Sequence, residues 1–265
     1  MAKLGGQNDE AVIPVHEAPQ GKASVCVSIV SHGHGAMVEG LVNTLLGFSE
    51  VGQLILTLNV PENLIFPDDS RIKRLENANT KGFGANHNAA FKMCREAFFC
   101  VLNPDSEFST NPFPVLLETL KLERAAVAAP LVVSPSGSIE DSMRYFPRPV
   151  TLLMKFLSGA DGRYSAKSGQ EHFFPEWCAG MFMLFRSRDF ERLSGFDERY
   201  FLYYEDVDIC VRAWRLGLKV AACPRVSVVH DARRASRRSA CHLRWHLASM
   251  ARYFVKYWGR LPRCP

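Results

Sequence analysis

The stretch Val25-Cys26-Val27-Ser28-Ile29-Val30-Ser31, closed at once by His32-Gly33-His34-Gly35, decides how this chain is read. It is short, apolar and rich in β-branched residues, and it ends in a glycine turn. That combination reads as a buried strand running into a loop. The next apolar positions, Val38, Leu41, Val42, Leu45 and Leu46, fall at helical spacing within Met37–Phe48. Leu54–Leu58 is a second strand, Gly84–Phe98 a second helix, and Phe98–Leu102 a third strand that breaks at Asn103-Pro104-Asp105. A helix over Pro112–Leu122, with Pro at its first turn, and a strand over Ala125–Val133 continue the alternation. Strands alternating with helices predict an α/β fold with a mainly parallel central sheet flanked by helices. Ligands in such sheets bind beyond the strand C-terminal ends, and the polar turns after Ser31, Leu58 and Leu102 all fall there.

Beyond this core the pattern loosens. Ser134–Phe174 is rich in Gly, Pro and Ser and is expected to form a mobile loop region over the site. Met181–Phe185 reads as a strand, Arg188–Leu193 as a short helix, and Asp206–Leu216 as an amphipathic helix. Val220–Ala222 and Val226–His230 read as two brief strands, and Leu243–Tyr257 as a basic, aromatic final helix. The expected organisation is a flexible leader at 1–23, one domain at 24–235, and a C-terminal helix at 236–265.

Composition narrows the classes. At 265 residues and 47% hydrophobic, the chain can bury a full core. No run of about 18 apolar residues exists to span a membrane. The polar N-terminus lacks the apolar stretch of a signal peptide, which argues for a cytoplasmic protein. Eight cysteines occur without a C-x-x-C pair, so the expectation is reduced, structural thiols. From Asp231 onward nine Lys/Arg stand against one acidic residue, while the first 230 residues carry a small negative balance. A mildly acidic body with a basic tail fits an anionic surface or a phosphate better than it fits nucleic acid.

Four constellations could carry chemistry. Asn103-Pro104-Asp105 puts a carboxylate at a strand end, where it could hold Mg²⁺ or Mn²⁺ against a diphosphate; the same residues make an ordinary turn. Tyr203-Tyr204-Glu205-Asp206-Val207-Asp208 sets three carboxylates within four residues at a helix start, with no cation among them. They could simply cap the helix, or supply a general base with metal or acceptor contacts. His230 ends an apolar run and is either structural or a metal ligand. Asn79–Asn88 holds Gly82, Gly84 and Asn86 in a turn that could start a helix or admit a ligand close to the backbone.

In this order, together with Cys178-Ala179-Gly180-Met181-Phe182-Met183 and Gly195-Phe196-Asp197-Glu198-Arg199-Tyr200-Phe201, these segments resemble the GT-A glycosyltransferases of family 2. The rhamnosyltransferase-like branch is the nearest in pattern, and the resemblance runs from about Val25 to Gly259. It implies a Rossmann-like GT-A fold and an inverting hexosyl transfer from a nucleotide-sugar, dTDP-rhamnose or a UDP-sugar. The acceptor would be a saccharide or a lipid-diphosphate-linked glycan of cell-surface polysaccharide or lipopolysaccharide synthesis. By the same resemblance, Asp105 and His230 would hold the metal, and Asp206 would be the catalytic base with Glu205 in support. Asn59, Gly82, Gly84, Asn86, Asn103, Asp105 and Arg144 would bind the donor, and Trp177 and Asp208 the acceptor. Relatives usually carry Thr-Tyr-Asn where this chain has Ser31-His32-Gly33, and Asp-Asn where it has Leu58-Asn59.

If the resemblance holds, Asp206 takes the acceptor proton while the metal neutralises the leaving diphosphate, with no covalent intermediate. The tail adds Arg233, Arg234, Arg237 and Arg238, then Trp245, Tyr253, Phe254, Tyr257 and Trp258. Such a helix suits a peripheral contact with an anionic leaflet, or a packed helix with a solvated basic face. Two other classes compete: a nucleotidyltransferase, and a non-catalytic carbohydrate- or nucleic-acid-binding protein. The first would need a cation-bearing loop after the opening strand, which His32-Gly33-His34-Gly35 is not. The second leaves the acidic cluster at 205–208 without a purpose.

Overall fold

The computed structural model describes residues 24–151, 162–164, 170–230 and 240–264. The proposed leader and Arg233, Arg234, Arg237 and Arg238 lie outside the described residues. So does much of the expected loop region between 152 and 169.

The opening strand, β1 (Val25–Ser31), is buried at all but one position and sits inside the sheet between two parallel neighbours. Those are β2 (Val51–Leu58) and β4 (Phe98–Leu102), with β3 (Ile72–Glu76) parallel on the far edge of β2. Helix α1 (Ala36–Leu46) buries Val38, Leu41, Val42 and Leu45, the i, i+3, i+4, i+7 stripe of an amphipathic helix. Helix α2 (Phe83–Phe91) stops earlier than the sequence pattern suggests. The Gln53 amide donates to the Met93 carbonyl at 2.8 Å and accepts from the Arg95 N–H at 3.0 Å, which captures the chain in a turn before β4.

Beyond β4 come β5 (Ser106–Glu107), helix α3 (Phe113–Leu122) and β6 (Val127–Val133). The paired β7 (Met143–Arg144) and β8 (Trp177–Cys178) form a small separate ribbon. Strand β9 (Phe182–Arg186), helix α4 (Ser187–Arg192), helix α5 (Glu205–Arg215), strand β10 (Val220–His230) and helix α6 (Ala240–Tyr257) complete the chain. The sheet order is β3-β2-β1-β4-β9-β6-β10-β5. It is mixed rather than near-uniformly parallel, because β9 is inserted antiparallel between β4 and β6, and β5 runs antiparallel to β10. The two brief strands expected near the end are one strand, with its register shifted between Cys223 and Ser227. Pro224, which has no N–H to give a ladder, falls inside that break.

This topology brings the C-terminal ends of β1, β2, β4, β6 and β10 to one edge, where the antiparallel β9 begins with Phe182 opposite Leu102. One face of the sheet buries the α1 and α3 stripes. The other buries a phenylalanine cluster (Phe99, Phe185, Phe190 and Phe196) together with Val207, Cys210, Tyr253 and Tyr257. Helix α6 is therefore part of the second core and not an appendage. All eight cysteines are free thiols, and six are buried. No helix among the described residues is long and apolar enough to cross a membrane.

Candidate active site

Two clefts open at the C-terminal edge of the sheet. The first, of about 450 Å³, lies over the ends of β1, β2 and β4. His32, Asn59, Lys81, Gly82, Asn86, Asn103 and Asp105 line it, and α6 contributes His242 and Trp245. The short β5 pairs Ser106 with His230 at the end of β10, and this brings Asp105 to His230 across 125 residues of chain. The Asp105 Oδ1 lies 3.2 Å from His230 Nε2, and Asn103 Nδ2 lies 3.4 Å from the same nitrogen. Burial alone would raise the Asp105 carboxyl, but His230 holds it below its ordinary value.

Asp105 Oδ1 and His230 Nδ1 are both buried and make no well-formed hydrogen bond. A carboxylate and an imidazole brought together at the cleft edge are a donor set that fits a divalent cation. Among the described residues no third His, Cys, Asp or Glu converges there. A cation would complete its shell with substrate phosphate oxygens and water, as Mg²⁺ and Mn²⁺ commonly do.

A net of three asparagines shapes this cleft. Asn59 Nδ2 donates to the Lys81 carbonyl and its Oδ1 accepts from the Lys81 N–H, both at 2.9 Å. Asn77 Nδ2 bridges Asn59 Oδ1 and Asn86 Oδ1. The amide of Asn59 is thus spent on holding the 77–82 loop, so Asn59 shapes the cleft wall. Gly82 is needed for close approach: a Cβ there would stand 2.5 Å from the Phe201 carbonyl oxygen. Gly84 does not line the cleft; it packs beneath it, where a Cβ would meet the Phe196 Cβ at 2.7 Å. Below it, His87 shares a 2.8 Å hydrogen bond with Ser28, and burial pushes its pKa down to about 3.

The second cleft, of about 360 Å³, is lined by Arg144, Trp177, Tyr203, Tyr204, Glu205, Asp206 and His246. It adjoins the first across residues 201–204. Burial raises the carboxyls of both Glu205 and Asp206 above the ordinary range. Two backbone N–H groups, from Gly180 at 3.0 Å and Val207 at 2.8 Å, work against that rise at Asp206. Glu205 is almost fully buried in the cleft wall, and its Oε2 has no partner. Tyr203 and Tyr204 both have positive φ, 71° and 68°, a conformation costly for aromatic residues and concentrated where function demands it. The elbow is fixed from two sides. Phe83 N–H donates to Phe201 O at 2.9 Å, and Ser249 Oγ of α6 donates to Leu202 O at 2.9 Å.

Besides Gly84, two expected residues sit elsewhere than the sequence suggested. Arg144 lines the second cleft, not the first, because the β7–β8 ribbon sets it beside Trp177, 6.0 Å from the ring centroid. Its guanidinium also pairs with Asp141 at 2.5 Å. Asp208 does not reach either cleft. It is fully buried on the opposite side of α5, where Arg212 Nε, Lys256 and the Tyr257 hydroxyl occupy its carboxylate. Gly180, His242, Trp245 and His246 join the site without having been singled out for it. The spacing His242, His246, Ser249, Tyr253, Tyr257 was the available signal, since it marks the inward face of α6.

Residues 58–189 match the family model described as glycosyl transferase family 2. The chain carries a family 2 glycosyltransferase domain. This glycosyltransferase is 29% identical over 248 residues to rhamnosyltransferase WbbL of Escherichia coli K12, covering 88% of this chain and 93% of the relative. It is 31% identical over 156 residues to the N-acetylglucosaminyl-diphospho-decaprenol L-rhamnosyltransferase of Mycobacterium tuberculosis H37Rv, covering 55% and 51%. Among solved structures it resembles GalNAc-T7 with UDP, GalNAc and Mn²⁺ (TM-score 0.63, 14% identity, 78% of this chain and 43% of that one). It also resembles the mannosyltransferase PcManGT of Pyrobaculum calidifontis with GDP-Man and Mn²⁺ (TM-score 0.59, 13% identity, 94% and 67%). The fold is GT-A, and the chain is a glycosyltransferase.

Proposed function

We propose that this glycosyltransferase moves L-rhamnose from dTDP-rhamnose onto a sugar hydroxyl of a lipid-diphosphate-linked glycan, with inversion, in cell-surface polysaccharide synthesis. The observation that carries the reading is the Asp206 carboxylate, held by two backbone N–H groups in a cleft that adjoins the Asp105–His230 pair. The names of the relatives support rhamnose as the sugar and a diphosphate lipid as the carrier.

The first cleft takes the nucleotide-sugar and the second takes the acceptor. Asp105 and His230 would hold Mg²⁺ or Mn²⁺, which when bound neutralises charge on the leaving diphosphate. Trp177 offers an apolar face to the acceptor ring, and Arg144 a guanidinium to an acceptor phosphate. The Gly180 and Val207 N–H groups fix the Asp206 carboxylate so that it receives the acceptor proton as the glycosidic bond forms. Among the described residues lining the first cleft, Asp105 is the one carboxylate. With Asp105 assigned to the metal and Asp206 to the acceptor proton, the expected course is a single in-line displacement. A peripheral location on the inner leaflet goes with such an acceptor, and α6 with the residue after it leaves Leu243, Leu247, Val255 and Trp258 exposed.

The test is thermal melting with Mn²⁺ and each of dTDP, UDP and GDP and their sugars, followed by product analysis with the stabilising donor. A native-state ligand raises the melting temperature by mass action. Selective stabilisation by dTDP-rhamnose is expected. A shift confined to UDP-sugars would replace the sugar, and no shift with any nucleotide would overturn the transferase reading of the first cleft.

A further inference from the structure

We infer that a third cavity, adjoining the acceptor cleft, holds the hydrocarbon chain of a lipid-diphosphate acceptor, so that the lipid is gripped by the protein and not left in the bilayer. The inference rests on the acceptor reading above. The cavity measures about 750 Å³, larger than either cleft of the active site. It lies between the Pro147–Val150 segment and the C-terminal end of α6 with the residues after it. Its lining combines the apolar side chains of Pro147, Val150, Phe254, Trp258, Leu261 and Pro262 with the charged groups of Arg148, Glu176 and Arg263.

Two observations point to an amphiphile rather than to a packing defect. The cavity shares Pro147 and Arg148 with the acceptor cleft, so the two adjoin at a guanidinium, and the proposed channel runs past it. Val150 and Trp258 stay 69% and 70% exposed at its lips, although large apolar side chains of this kind gain by burial.

The chemistry along the channel has a fixed order. Asp206 belongs to the acceptor cleft alone, Arg148 stands at the junction, and the apolar walls follow. A glycan on a lipid diphosphate has the matching order of hydroxyl, sugar ring, phosphates and hydrocarbon. Arg148 is fixed for this post. Its Nη2 and Nη1 reach the Glu176 carboxylate at 2.8 and 3.2 Å, and that carboxylate is buried and also accepts the Phe146 N–H. Two of the five guanidinium N–H donors are used in that grip, leaving part of the fork to face a phosphate. Arg263 adds a second cation to the same cavity.

The experiment is a binding titration of the full chain with a dansyl-labelled C15 isoprenoid diphosphate below its micelle concentration. A C5 analogue, inorganic pyrophosphate and phosphatidylcholine/phosphatidylglycerol vesicles are run beside it. The C15 probe is expected to bind at least tenfold more tightly than the C5 probe. The Val150→Glu/Trp258→Glu double variant should lose that gain while melting at the wild-type temperature, since both side chains are solvent-exposed. Equal affinity for the two chain lengths would overturn the inference, as would a chain-length gain that survives in the double variant. Vesicle binding without monomeric C15 binding would also overturn it, and would assign the exposed residues to the membrane surface. Probe binding needs no turnover, so the two readings fail separately. A protein that grips the C15 probe but transfers no sugar sinks the transfer reading alone. One that glycosylates a soluble acceptor without any chain-length gain sinks only the channel.

Discussion

Glu205 and Asp206 are consecutive in the chain, and burial raises both carboxyls, yet their surroundings differ. Asp206 faces the acceptor cleft with two backbone N–H donors on its oxygens, which offset part of the cost that burial puts on its anion. Asp206→Asn removes the base and keeps one of those two contacts, since an amide has a single acceptor oxygen. The expected result is a kcat lower by roughly 10²- to 10⁴-fold with unchanged donor affinity, read by steady-state kinetics and nucleotide titration. A near-normal kcat would show that another group takes the proton. Glu205 is packed away with an unpartnered Oε2, and burial raises its carboxyl well above 4.5. A carboxyl raised by folding stabilises the fold below its unfolded pKa and loses that contribution as pH rises through the folded value. Glu205→Gln should therefore melt higher than wild type by an amount that grows between pH 5 and pH 8. A pH-independent difference would mean that Glu205 is not the group holding the proton. The residues of these motifs could be picked out in the sequence because carboxylates clustered without a cation are unusual. That Asp208 turns inward could not, since its partner Lys256 lies 48 positions away and only the folded helix pair brings them together.

At the scale of elements, the active site depends on one elbow, residues 201–204, wedged between the start of α2 and the inner face of α6. Phe83 N–H and Ser249 Oγ hold consecutive carbonyls of that elbow, and two left-handed tyrosines follow directly. The close approach of Gly82 to the Phe201 backbone leaves no room for a methyl group. Gly82→Ala must push α2 and the elbow apart, at a cost of about 1–3 kcal/mol for an overpacked site. Donor affinity is expected to fall along with the melting temperature; a variant that melts lower but binds donor normally would separate the elbow from the first cleft. Elements with a strong signal were legible: β1 as a short run rich in β-branched residues, and α1 as an apolar stripe. Strand β3 was not, because Ile72-Lys73-Arg74-Leu75-Glu76 is an edge strand whose charges keep it from pairing further. The end of α2 was hidden for another reason, since a side chain from β2 stops the helix. In α6, the aromatic residues read together as an interfacial set divide in the fold. Tyr253 and Tyr257 face the core, while Trp258 stays outside.

Seen whole, the molecule closes its second core with its last helix. Tyr253 and Tyr257 are almost fully buried among residues of α5, and the Tyr257 hydroxyl and Lys256 hold the carboxylate of Asp208, which has no exposure to water. The same helix places Trp245 at the donor cleft and His246 at the acceptor cleft, so stability and site geometry share one element. A basic tail that merely tethered the enzyme to a membrane could be removed with the domain intact. A chain ending before Ala240 should behave otherwise. It would strip the cover from two tyrosines and leave Asp208 with Arg212 as its remaining cation among those three partners. Removing partners from a buried ion pair costs about 3–5 kcal/mol, and a domain of this kind holds only about 5–15 kcal/mol in total. The shortened chain should melt far below the full one, or fail to melt cooperatively, when both are followed by circular dichroism. Asp208→Asn in the shortened chain should recover part of the loss, because a neutral amide needs less compensation than a carboxylate. Cooperative melting of the shortened chain at the full-length temperature would show instead that α6 is dispensable to the fold, and would return its aromatic face to the membrane.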